Sequence, residues 1–242
     1  MESRDCLNVS LENSLYSISQ KTLDSFSQKF LEGFPFAYLT RFSEFYFRKF
    51  YVDSRVLIPR NETELLVDLI KQENTEFKSI CDVGVGSGVI LLSLVTHKGF
   101  GIDISPDALE VTKINARRFR LENSVTLHQG DRLYGVSEKF DLIVSNPPYI
   151  KESSHRKLVH NQVDRYEPHM ALFLKDDDYE EWFLTFFNQV KTCLNKDGLF
   201  YMEGHELELE HQRDLLLQLG FDDVKVIKDY AGLNRFIRAK RG

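Results

Sequence analysis

The chain has 242 residues, 42% hydrophobic and 28% charged, with a net charge of −6, a profile with room for one substantial core and a small accessory region. Its basic clusters are short pairs such as Arg117-Arg118 and Lys240-Arg241, which argues against a dedicated nucleic-acid binder with a basic face. Cys6, Cys81 and Cys193 are isolated and lack metal-ligand spacing, so no metal is expected and a reducing cytoplasm suits them. A signal-peptide core and an apolar run of membrane-spanning length are both absent from the sequence. The expectation is a cytoplasmic monomer.

The N-terminal stretch carries Leu11, Leu15, Ile18, Leu23, Phe26, Phe30 and Leu31 at helical spacing, predicting one or two cap helices that end at Gly33 and Pro35. Residues 42–51, rich in Phe and Tyr, predict a β-hairpin. Residues 1–52 thus form a short N-terminal region and 53–242 the main domain; Phe45 and Tyr46 read as rings packing one onto the other. A helix over 61–70 follows, with Asn61 as N-cap and Arg60, Glu62 and Glu64 at its start.

Beyond Ser79, strands are predicted over 79–84, 99–104, 124–129, 140–145, 198–203, 222–228 and 233–239. Helices are predicted over 88–97, 106–119, 178–194 and 206–219. This alternation implies an α/β fold, a largely parallel sheet of seven strands covered by helices on both faces. The last two strands, joined through Gly232, suit an antiparallel hairpin, and Cys81 reads as a small buried hydrophobe in the first strand. The stretch 151–178 lacks a clear period, and loops of that length are usually functional.

Two motifs carry chemistry. The first is an apolar strand running through Asp82 into Gly84-Val85-Gly86-Ser87-Gly88, with a helix-like segment after it. Glycines let the backbone turn tightly and approach a ligand closely. Asp103 closes the next strand about twenty residues beyond Gly84, where a Rossmann-like unit places its ribose-binding carboxylate. The G-x-G-x-G spacing suits S-adenosylmethionine, which has a ribose and an amino-acid tail but no pyrophosphate. The second motif is Asn146-Pro147-Pro148-Tyr149 at the end of a strand. Successive prolines remove two N–H donors, leaving the Asn146 and Pro147 carbonyls beside the Asn146 side-chain oxygen. Such an acceptor-rich nest suits a planar NH2 group, with Tyr149 stacked over it. A glutamine amide and the amine of adenine both qualify. A plain strand-ending turn is the alternative for the second motif taken alone.

With these residues in view, the sequence resembles the HemK-type protein-(glutamine-N5) methyltransferases that modify peptide-chain release factors. The resemblance spans about residues 33 to 239. It rests on Val56-Leu-Ile-Pro-Arg-Asn-Glu-Thr-Glu64, Asp82 to Gly88, Ser145-Asn-Pro-Pro-Tyr-Ile150, Tyr166-Glu-Pro-His-Met-Ala-Leu172 and Asp229-Tyr-Ala-Gly-Leu-Asn-Arg235. Three features depart from the family pattern: a short region before Gly33, Arg41 where a glycine is common, and Glu203-Gly204-His205 in place of E-x-G or E-H-G.

The resemblance implies a Rossmann-like class I methyltransferase with a short N-terminal helical cap, using S-adenosylmethionine and releasing S-adenosylhomocysteine. It implies methyl transfer to the glutamine of a Gly-Gly-Gln loop. Asp82, Gly84 to Gly88, Asp103 and Asn146 would hold the cofactor, with Asp131 and Arg132 bordering the adenine. Asn146, Pro147, Pro148 and Tyr149 would hold the amide. Glu167 and Pro168 would border the entrance, while His205 reads as a surface residue. The competing readings are an adenine-N6 nucleic-acid methyltransferase, a glutamine methyltransferase of a ribosomal protein, and a cofactor-binding regulator without catalysis.

Overall fold

The computed structural model describes residues 20–242 apart from residue 74; Cys6 and the apolar positions Leu11, Leu15 and Ile18 lie outside the described residues. The described chain opens on α1 (Gln20–Leu31) and α2 (Phe36–Thr40), joined through Gly33 and Pro35. Arg41 ends α2 at φ 63°, a left-handed conformation that costs a residue with a Cβ about 1–2 kcal/mol. The glycine that the resemblance leads one to expect at this position would carry no such strain.

The hairpin β1 (Phe42–Phe45) and β2 (Arg48–Tyr51) follows, closed by Tyr46 and Phe47 at φ 47° and 61°. Two positive φ angles give the turn the twist a tight hairpin needs, with no glycine or asparagine to announce it. Phe45 is buried edge-on to Phe50, and Tyr46 donates from its hydroxyl to Asp68 at 2.8 Å. Both serve packing. The next helix, α3 (Asn61–Gln72), takes Arg60 rather than Asn61 as its N-cap, and Arg60 makes no side-chain capping bond.

The remaining elements alternate as β3 (Ser79–Val83), α4 (Val89–Leu94), β4 (Lys98–Asp103), α5 (Pro106–Arg118), β5 (Val125–Gln129) and β6 (Phe140–Ser145). The aperiodic stretch resolves into short pieces, β7 (Ile150–Lys151), α6 (Asn161–Tyr166) and β8 (Phe173–Leu174). Then come α7 (Tyr179–Cys193), β9 (Leu194–Glu203), α8 (Leu209–Gln218), β10 (Phe221–Lys228) and β11 (Asn234–Arg241). Seven strands form one sheet in the order β10-β11-β9-β6-β3-β4-β5, and β11 alone runs against the direction of the other six.

Strand alternation assigns the two faces. On β6, Ile143 joins the core beneath α7 and α8, while Leu142 and Val144 join the core beneath α3 and α4. On β9, Phe200 and Met202 take the first face, Leu199 and Tyr201 the second. Cys81 is fully buried. The parallel registers pair Val83 with Ser145 and Ser145 with Met202, so the strands stop together. Their carboxyl ends, at the switch point where β3 separates β6 from β4, form the crevice where such sheets bind ligands.

Candidate active site

A cavity of about 300 Å³ opens over these strand ends, lined among others by Gly84, Val85, Gly86, Ser87, Asp103, Asp131, Arg132, Asn146, Pro147 and Pro148. Gly84, Gly86 and Gly88 take φ of 75°, 54° and 83°, values that side chains rarely adopt. A Cβ on Gly86 would meet nothing nearer than 3.8 Å, so that face of the loop lies open to the cavity. Gly88 differs: its Cβ would come within 2.9 Å of the Thr112 methyl. It caps α4 and packs on α5 instead of lining the cavity.

Asp103 turns its carboxylate into the loop, accepting from Gly86 N and Ser105 N at 2.9 Å each. Burial raises the group's pKa, opposed by the backbone N–H groups of Ser105, Gly86 and Ile104; a carboxylate's four lone-pair sites leave room for a further donor. Asp82 stands differently. Alternation sends it to the α4 face, where Oδ2 accepts from Leu91 N at 3.1 Å and Oδ1 has no partner. Burial pushes it up to about 7, against the Leu91 hydrogen bond, with Asp103 adding to the rise. It lies beneath the loop and outside the cavity lining. Arg132, at φ 53°, forks onto Asp131 at 2.8 and 3.0 Å and lies over the Trp182 ring. Trp182, the chain's single tryptophan, lines the same cavity and was missed in the sequence.

A second cavity of about 210 Å³ lies alongside, lined by Tyr149, Ile150, His155, Leu158, His205 and others. The two cavities share Leu57, Arg60, Asn146, Pro147 and Ala171. Asn146 therefore sits at their junction. Its Nδ2 donates to Thr63 Oγ1 at 3.3 Å, Thr63 donates to Glu203 Oε2 at 2.7 Å, and Tyr149 donates to Glu203 Oε1 at 3.2 Å. The Thr63 proton is committed to a carboxylate, so Thr63 can only accept from Asn146. That fixes the Asn146 amide with Oδ1 turned away from Thr63. Its backbone carbonyl and that of Pro147 receive no hydrogen bond among the described residues.

Glu203 is 1% exposed. Burial raises its pKa, opposed by the Thr63 and Tyr149 hydroxyls and by the charge of Arg235. The Tyr149 hydroxyl is raised by burial and by Glu203. Arg60 bridges to the buried Glu167 at 2.8 Å, and Glu167 also accepts from Ile58 N at 3.0 Å. Arg60 is therefore part of the junction, beyond its place at a helix start. His205 is half-buried and lines the second cavity, which corrects its reading as a surface residue. Glu203 and Thr63 were likewise missed as site residues; both lay within motifs read only as resemblance. No group of three metal-ligating side chains occurs among the described residues.

A glycine-rich loop, a strand-end carboxylate and a parallel sheet of this order define a class I methyltransferase fold. The methyltransferase small domain family matches residues 60–171. Among solved structures, a methyltransferase from Pyrococcus furiosus superposes with a TM-score of 0.59 at 18% identity, covering 93% of this chain and 100% of that one. The ribosomal protein L11 methylase of Lactobacillus delbrueckii gives 0.55 at 21% identity, over 78% and 82%. These two show the fold alone. The release factor glutamine methyltransferase of Clostridium acetobutylicum is 38% identical over 208 residues, 82% of this chain and 72% of that protein. Its counterpart in Streptococcus pneumoniae is 36% identical, over 81% and 71%. The chain belongs to the release factor glutamine methyltransferase family.

Proposed function

We propose that the protein transfers a methyl group from S-adenosylmethionine to the side-chain nitrogen of the glutamine in the Gly-Gly-Gln loop of a release factor. The observation that carries this is the junction: Asn146 and Pro147 line both cavities, so a group held there meets the cofactor from one side and the substrate from the other. The first cavity fits the cofactor, since Asp103 has lone pairs for ribose hydroxyls, the face of Gly86 is open, and Asp131, Arg132 and Trp182 border the space for the base. When bound, the sulfonium supplies an electrophilic methyl and a neutral leaving group.

The protein's share is orientation. Asn146 Oδ1 and the Pro147 carbonyl accept the two hydrogens of the amide NH2, pointing its nitrogen at the first cavity. Pro148 stiffens the segment. Tyr149, held by Glu203, walls the amide plane. Amide nitrogen is a poor nucleophile because its lone pair is delocalised, so positioning is the main source of rate. No general base is required, because the N-methylated amide becomes strongly acidic once the methyl has transferred. Asp82 supports the loop from below. The enzyme works as a cytoplasmic monomer.

The test is mass spectrometry of a release factor incubated with enzyme and isotopically labelled cofactor, with adenine-containing DNA in a parallel reaction. Label on the Gly-Gly-Gln glutamine and none on DNA is expected. Label on DNA alone would overturn the reading and favour adenine methylation.

A further inference from the structure

The second cavity has a wall unlike the rest. His155, from the stretch after β7, and His205, two residues past Glu203, stack with ring centroids 4.4 Å apart and an interplanar angle of 20°. Tyr149 meets His205 edge-on at 6.4 Å. Nearby, Lys151 pairs with Glu208 at 2.7 Å, both largely buried. These two contacts tie the 150–158 segment to the turn between β9 and α8. The outer side of that segment is held separately, by Asp176 accepting from Ser153 N and Ser154 N at 2.7 and 3.1 Å.

The stack is sensitive to protonation by its geometry. His205 Nδ1 accepts from Leu207 N at 3.3 Å, so a neutral His205 carries its proton on Nε2. A second proton must go on Nδ1, which removes the acceptor from Leu207 and sets a cation against the neighbouring ring. His155 Nδ1 is buried without a partner. The groups facing His205 are His155 from one side, Glu206 and Glu208 from its own turn, and Arg235 from β11. Burial first, then His155 and Arg235, favour the neutral ring over the two glutamates.

We propose that His155 and His205 form a positioning pair that sets affinity for the protein substrate, holding the 150–158 segment as a wall of the amide cavity only while the His205 ring is neutral. This rests on the second cavity being the substrate's. The sign follows from the lowered pKa: the clasp is complete above the ordinary imidazole value of 6.5 and is lost as pH falls below it.

The test uses full-length enzyme, labelled S-adenosylmethionine and a release factor with an intact Gly-Gly-Gln loop. His155→Ala and His205→Ala should each raise KM for the factor about tenfold, the scale of a lost aromatic pair, with kcat and cofactor affinity changing less than about twofold. In the parent, KM should rise as pH drops from 7.5 to 5.5. The double variant His155→Phe/His205→Phe keeps two stacked rings without a titrating proton, so it should restore KM and flatten that rise. Asp82, which burial pushes up to about 7, is present in both proteins and serves as the internal control. Unchanged KM in the alanine variants, or the same pH dependence in the phenylalanine variant, would overturn the pair's role. Should the parent leave the factor unmethylated, the reading of the site fails. Hydrogen exchange of the 150–158 amides then decides the clasp by itself: faster exchange in the alanine variants supports it, and equal exchange refutes it.

Discussion

The two cavities that meet at Asn146 are built in opposite ways. The proposed cofactor side is made of backbone: positive φ angles at Gly84 and Gly86, and a carboxylate, Asp103, that accepts from N–H groups close by in the chain or the loop. The proposed substrate side is made of side chains from distant segments, with Thr63 reaching Asn146 across 83 positions and Glu203 across 140. Backbone-built sites tolerate change in neighbouring side chains but not in the glycines. Side-chain networks fail when any buried member loses its partner. Asn146 is oriented from the protein side. The chain Asn146–Thr63–Glu203 presets it, so little reorganisation is needed when an amide arrives.

The largest expected effect comes from changing the substrate. Replacing the target glutamine by glutamate removes the NH2 and sets a carboxylate against the Asn146 and Pro147 oxygens, which is costly in a buried site. Methyl incorporation should vanish, and measurable label on the glutamate form would break the assignment of this side. Next is Glu203→Ala, which strands the Thr63 and Tyr149 hydroxyls. Loss of their shared acceptor should cost about 2–4 kcal/mol of stability, read by urea denaturation, while cofactor affinity at 20 °C or below stays close to the parent's. An equal fall in cofactor affinity would show the two sides to be coupled.

On the cofactor side, Asp103→Ala should weaken S-adenosylmethionine binding by roughly 1.5–3 kcal/mol per charged hydrogen bond lost, measured by calorimetry. Unchanged affinity in the folded variant would remove Asp103 from the site. The remaining effect belongs to Asp82 and is read as stability instead of affinity. Its folded pKa is raised to about 7 from 3.8, so its contribution to stability is present below 3.8 and is lost as pH rises through 7. Asp82→Asn keeps an acceptor for Leu91 N and removes that loss. The variant should therefore gain stability relative to the parent between pH 5 and pH 8, and a constant difference across that range would contradict the buried carboxylate.

The same contrast governs what the sequence could reveal. The glycine loop, Asp103 and the Asn-Pro-Pro-Tyr segment were legible because each is a local conformational demand written in adjacent residues. The seven strands were legible from alternation, and the final hairpin through Gly232 from its turn. What stayed hidden was long-range. Glu203 ends an apolar strand, and only folding brings Thr63 and Tyr149 to its two oxygens. His205 read as exposed because nothing in its own segment shows that His155 will cover it. The tight hairpin turn at Tyr46-Phe47 breaks the usual glycine signal. Helix ends drifted for a local reason: the segment predicted over 88–97 stops at Leu94, where Val95 turns to extended backbone.

In the proposed division of labour, Asn146 serves the amide and leaves cofactor binding to its neighbours. Single-turnover methylation of a release factor by Asn146→Ala, with calorimetry of S-adenosylmethionine binding on the same preparation, tests it most directly. The methyl-transfer rate should fall about 10²-fold or more, the scale for a lost positioned polar contact, while cofactor affinity stays within about twofold of the parent's. A rate loss fully matched by lost cofactor affinity would place Asn146 on the cofactor side and contradict the division of the site.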